Sequence, residues 1–219
     1  MTFDRAGHLY VRDLSAPFQI DRIAPDGTVT KFADAPFGSP TGDLVFDSHG
    51  NLYHAAGGQL YRYGPDGTFT VFVAGSSSFQ PSSLAIDAQD TLVVSNGVLD
   101  NRLFKVTPDG QVSLFATAPV GLHGLVFDAS GRLFGGHSLT GQVYEITPDG
   151  QVVLFASGFR DKRRVNAELT NVPFAPLDLA FSPAHQLLAT STFCCVVVDG
   201  INRDEGAVLQ RGPGKAFQA

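Results

Sequence analysis

Two histidines, several carboxylates and an asparagine stand at matched places in this chain, and they could do acid–base or ligand-binding chemistry. Asp43, Ser82 with Ser83, His123 and Asp178 share one kind of position. Asp13, Asn96, His137 and Ser191 share another, with Asp100 and Asn101 shortly after one of them. An imidazole is the side chain best suited to take a proton near neutral pH, which makes His123 and His137 the catalytic candidates. His123, Asp178 and Asn96 could together hold a divalent ion such as Ca, Mg, Mn or Zn. Asp13, Asp43, Ser82, Asn96, Asp100 and Asp178 could instead orient a polar ligand. The plainer alternative is that such residues cap loops and line a polar surface. His8, His49, His54 and His185 fall in turns or strand bodies and read as structural or solvated.

A repeat is what would bring these positions together, and repeats decide architecture before local propensity does. One motif is apolar-Asp-x-x-Gly-x-Leu-aromatic. It runs Phe3-Asp4 to Tyr10, Phe46-Asp47 to Tyr53, then loosely Ile86-Asp87 to Val93, Phe127-Asp128 to Phe134, and weakly Phe181-Ser182 to Leu188. Successive copies start 43, 40, 41 and 54 residues apart. The other motif is apolar-x-Pro-Asp-Gly with a later phenylalanine. It is found at Pro25-Asp26-Gly27, Pro65-Asp66-Gly67, Pro108-Asp109-Gly110 and Pro148-Asp149-Gly150, with a degenerate copy at Pro213-Gly214.

Both motifs are turns. An aspartate side chain caps turn amides, glycine supplies a positive φ, and proline presets φ for the corner. Each repeat therefore predicts strand a, an Asp-x-x-Gly turn, strand b, a variable connection, strand c, a Pro-Asp-Gly turn and strand d. Four antiparallel strands in about 40 residues make one β-propeller blade. The fold class is all-β, with one propeller domain over residues 1–219. Blades are expected at about 1–33, 42–73, 82–116, 123–156 and 177–219, either as five blades or as an incomplete six-bladed ring. The recurring leucines and aromatics form the core between blades. Residues 157–176 are an insertion carrying Arg160-Asp161-Lys162-Arg163-Arg164. It reads as a solvated loop, with an anion or partner patch as the alternative.

The a–b and c–d turns of a blade lie on one face and the d–a and b–c connections on the other. The variable connections, where function usually concentrates, thus surround one mouth of the central channel. The candidate residues named above all map to that mouth.

Segments such as Gly124-Leu125-Val126-Phe127-Asp128-Ala129-Ser130-Gly131-Arg132-Leu133-Phe134 and Gly141-Gln142-Val143-Tyr144-Glu145-Ile146-Thr147-Pro148-Asp149-Gly150 resemble the NHL and gluconolactonase/regucalcin-like repeat. The resemblance runs over nearly the whole chain. It implies a six-bladed propeller, in some members a lactone or ester hydrolase. Those enzymes hold one divalent metal through a glutamate, an asparagine and an aspartate. The glutamate's stretch would precede Met1, and the other matching positions carry Ser82, His123 and Leu177, with Asp178 one place off.

Composition narrows the rest. The net charge of -6 disfavours a nucleic-acid partner, which would meet a basic face. Hydrophobic content of 43% with 16% charged residues excludes a disordered chain. No apolar run approaches the ~18 residues of a membrane span. The start, Met1-Thr2-Phe3-Asp4-Arg5, is no signal peptide, so the default location is cytoplasmic, or extracytoplasmic if the chain is a piece of a longer protein. The adjacent Cys194 and Cys195 read as free thiols, with a vicinal disulfide or a reactive thiol as alternatives. Two functions follow. One is an NHL-type binding module for a small polar molecule or peptide; the other is a metal-dependent lactone or ester hydrolase.

Overall fold

The computed structural model describes residues 1–13, 18–36, 42–96, 100–137, 140–157, 160–165, 168–173, 178–181, 187–190 and 195–198. Every element among them is a strand. The chain divides into two compact units, Met1–Gly121 and Leu122–Ala219.

The first unit holds three four-stranded sheets, each an antiparallel meander in chain order. The first contains β1 (Thr2–Phe3), β2 (Leu9–Asp13), β3 (Gln19–Ile23) and β4 (Val29–Asp34). The second contains β5 (Leu44–Phe46), β6 (Leu52–Ala56), β7 (Gln59–Tyr63) and β8 (Phe69–Val73). The third contains β9 (Ser83–Ile86), β10 (Leu92–Ser95), β11 (Arg102–Val106) and β12 (Val112–Thr117).

The turn motifs act as their residue types predict. Asp4, Asp47, Asp87 and Asp128 each accept two backbone N–H bonds on Oδ1, from the residues two and four positions on, at 2.8–2.9 Å. The glycine of the motif sits at φ 83–84° in Gly7, Gly50 and Gly131. The loose third copy has Asp90 there, at φ 61°. This is the only positive-φ residue other than glycine among the described residues. Its carboxylate reaches the neighbouring blade's turn: Oδ1 accepts from Ser48 N at 2.7 Å and Oδ2 from Ser48 Oγ at 2.6 Å. The deviation from the repeat thus latches blade two to blade three.

Burial lies between sheets, as expected for blades that cannot cover both faces alone. Tyr10, Ile20, Leu44, Leu52, Tyr61 and Tyr63 make one cluster between the first two sheets. Tyr53, Leu60, Leu84, Leu92, Val94 and Phe104 belong to the next. Rings meet edge to face, with Tyr10 and Phe46 centroids 4.8 Å apart at 74°. Strands c and d share a register shift in each blade, between Ile20 and Asp21, Leu60 and Tyr61, and Leu103 and Phe104. A bulge recurring at one place sharpens the local twist of the outer strand.

The second unit begins with a fourth four-stranded sheet: β13 (His123–Phe127), β14 (Leu133–His137), β15 (Gln142–Ile146) and β16 (Val152–Ala156). The bulge recurs here between Val143 and Tyr144. The expected loop at 157–176 is instead a regular hairpin, β17 (Arg160–Val165) paired with β18 (Glu168–Pro173) from Arg160↔Pro173 to Val165↔Glu168. Only two residues separate these strands, and Val165, Thr170 and Val172 are β-branched, so a tight hairpin is favoured. The charge run hid that pattern. A three-stranded sheet follows, β19 (Asp178–Phe181), β20 (Leu187–Thr190) and β21 (Cys195–Val198). Complete four-stranded blades therefore number four among the described residues, where the spacing predicts five. Residues 199–219, the remainder of the expected fifth blade, lie outside the described residues, as do His185, Ser191 and Cys194.

Candidate functional site

Strand starts and strand ends hold the candidates. In the first unit Asp43 sits just before β5. It accepts the Ser83 hydroxyl and, at 3.1 Å, the Leu84 amide of the next blade on Oδ2. Its own backbone N–H donates to Ser82 O at 3.2 Å and its carbonyl accepts Ala55 N at 3.2 Å. This seam is backbone-tight. A Cβ on Gly42, at φ 129°, would lie 1.7 Å from Ala55 O and 3.7 Å from Arg12 Nη1. Burial draws the Arg12 guanidinium down, and the charge of Asp43 supports it. Arg12 thus joins blade one to the seam between blades two and three. Ser82 contributes main-chain groups, its N–H donating to Ser95 O at 2.9 Å. Asp13 ends β2 opposite Gln19.

Asn96 and Asp100 form a second group. Asn96 Oδ1 accepts the Gln80 amide, while Nδ2 donates to Ser78 O at 3.2 Å and Asp100 Oδ2 at 2.7 Å. Asp100 also accepts from Arg102 N at 3.0 Å and Nε at 2.9 Å. The Arg102 side chain above all, then Asn96, holds the Asp100 carboxyl well below its usual range. Asn101 donates from Nδ2 to Ala118 O at 2.9 Å. Asp100 fastens its own loop, while Asn96 and Asn101 tie theirs to the connections at Ser78–Gln80 and Ala118.

His54, read from its strand position as structural or solvated, is fully buried. Its Nδ1 lies 3.4 Å from Tyr63 Oη, and its Nε2 has no hydrogen-bond partner among the described residues. Burial, with Arg12 nearby, lowers its pKa to about 3, so it is neutral. Nothing in the spacing of the repeats marks it, because its counterparts Val11 and Val94 are apolar.

The second unit holds both catalytic candidates and Asp178. His123 opens β13 opposite Gly136, and His137 ends β14 opposite Gln142. Asp178 opens β19, opposite Thr190, and β19 packs on β13 and β14. His137 is 7% exposed, and burial lowers its pKa. Its Nδ1 is 2.7 Å from Thr140 Oγ1. Thr140 Oγ1 donates to Gln142 Oε1 at 2.6 Å, and Tyr144 Oη donates to the same oxygen at 2.9 Å. Sequence reasoning missed this support. Its signal was present in the short polar connection after His137, ending Thr140-Gly141-Gln142.

Among the described residues, no three His, Cys, Asp or Glu side chains are gathered where an ion could bind. Asn96, of the trio expected from the sequence, has both ends of its amide engaged.

Sheets of this order and repeat define a β-propeller architecture. No family model matches the chain, and no curated protein matches it. Solved structures do. Virginiamycin B lyase from Staphylococcus aureus is similar at TM-score 0.68 and 16% identity, over 99% of this chain and 69% of that one. A gluconolactonase from Xanthomonas campestris is similar at 0.61 and 19%, over 88% and 68%. Regucalcin from Agrobacterium tumefaciens, described as calcium-binding, is similar at 0.62 and 20%, over 88% and 66%. At these identities the likeness establishes the fold, which is that of the gluconolactonase/regucalcin-like propellers.

Proposed function

We propose that the chain opens the ring of a lactone or related cyclic ester by hydrolysis, with His137 as general base. One observation carries this reading: a nearly buried, neutral imidazole is oriented by a hydrogen bond, on a fold that a gluconolactonase shares. The imidazole takes a proton from water, the water oxygen bonds to the ester carbonyl carbon, and the ring C–O bond breaks. The proton then passes to the departing alkoxide. A base of this kind contributes about 10²–10⁴ in rate.

Acid release from a six-membered sugar lactone, followed at constant pH, tests the reading. Turnover lost in His137→Gln and retained after chelation supports it; undiminished turnover in His137→Gln overturns it. The second reading is a binding propeller for a small polar molecule or peptide, with neither nucleic acid nor membrane as partner. It is favoured by the way Asp43, Asn96 and Asp100 spend their polar atoms on loop architecture. Its mark would be saturable ligand binding without turnover.

A further inference from the structure

The assignment that follows rests on the reading of His137 as a base and says which of its two nitrogens acts. Only one proton sits on a hydroxyl, and counting protons along the β14–β15 connection leaves little choice. Gln142 Oε1 is a carbonyl oxygen and can only accept. Thr140 Oγ1 gives it its single proton at 2.6 Å, and Tyr144 Oη gives a second at 2.9 Å. Having spent its proton, Thr140 Oγ1 can only accept from His137 Nδ1, 2.7 Å away. In the neutral ring the other nitrogen then carries the lone pair.

We infer that Thr140 and Gln142 are positioning residues that hold His137 in the Nδ1–H tautomer, leaving Nε2 as the proton acceptor. Tyr144 is the anchor of the series. Its ring is buried in β15, and its hydroxyl donates to the same Gln142 oxygen that Thr140 does. All four residues lie within a few positions of one hairpin, so no distant part of the fold is needed to maintain the arrangement. The hydrogen bond to Nδ1 also sets the ring plane, as the third member of a catalytic triad does for its histidine.

Two-bond proton–nitrogen NMR correlations of the full chain, labelled at histidine, read the tautomer directly above the pKa of His137. The expected spectrum has Nδ1 protonated and Nε2 bare. In Gln142→Leu the Thr140 proton loses its acceptor and is free to turn to Nδ1, so the Nε2–H form appears. Thr140→Val removes the acceptor altogether and gives the same change. Gln142→Glu and Thr140→Ser each keep an acceptor in place and retain the original tautomer, which separates positioning from mere loss of folding. Lactone turnover should fall about 10²-fold in Gln142→Leu and recover in Gln142→Glu. A wild-type spectrum showing Nε2–H, or a Gln142→Leu spectrum unchanged from wild type, overturns the assignment. Absence of turnover with the Nδ1–H tautomer intact counts against lactone hydrolysis and leaves the tautomer assignment standing.

Discussion

Replacing Asp90 by glycine would give the third Asp-x-x-Gly turn the residue that its counterparts carry, and yet it should destabilise the protein. Two terms oppose each other. An L-residue other than glycine at φ 61° pays roughly 1 kcal/mol, which Asp90→Gly would recover. The same change deletes two hydrogen bonds from Ser48 to a carboxylate that is 16% exposed. Charge-assisted bonds are worth about 1.5–3 kcal/mol when well shielded; on this partly open rim about 1 kcal/mol each is a fair discount. His49 Nδ1, 3.2 Å from Asp90 but on a side chain 76% exposed, adds little. The net expectation is a loss of about 1 kcal/mol for Asp90→Gly and about 2 kcal/mol for Asp90→Ala, which loses the bonds and keeps the strain. Urea unfolding at a shared slope would give the order wild type, glycine, alanine in falling midpoint. If Asp90→Gly is as stable as wild type or more so, backbone strain outweighs the latch and the reasoning fails. If glycine and alanine are equal, the positive φ carries no cost.

Three further outcomes follow from the same geometry. Gly42→Ala should cost more than about 3 kcal/mol or prevent folding, because its Cβ would sit 1.7 Å from a main-chain oxygen; thermal denaturation reads it. Asp100 bonds to Arg102 and Asn96 in the folded state, so its contribution is present above its ordinary value of 3.8 and is lost as pH falls through its lower folded value. Asp100→Asn should accordingly flatten the acid side of the stability–pH curve, measured by unfolding midpoints from neutral pH downward. In lactone hydrolysis kcat/KM should fall on the acid side as His137 takes up its proton. The midpoint should lie below the ordinary histidine value of 6.5, because burial disfavours the charged ring. A midpoint above 6.5 would point to another base.

What could be read from the residues alone was local chemistry repeated at a fixed interval. Asp4, Asp47, Asp87 and Asp128 cap their turns by bonding amides two and four residues ahead, and such short-range bonds are written into the spacing itself. The four-stranded sheets, their order and the leucine and aromatic core followed from that, as did the placement of His123 and His137 at strand termini. The charged run at 160–164 concealed a strand because side-chain charge masks a pairing that the backbone makes. Tertiary structure alone decided the contacts between residues some 40 positions apart: Asp43 with Ser83, Ser48 with Asp90. It likewise decided that Asn96 holds the connection at Ser78 and Gln80 while Asp100 holds Arg102, and that His54 is sealed from water. A polar side chain can cap, pair or bind with equal local propensity. Which of these it does depends on what the neighbouring blade places within about 3 Å of it, and no interval along the chain encodes that distance.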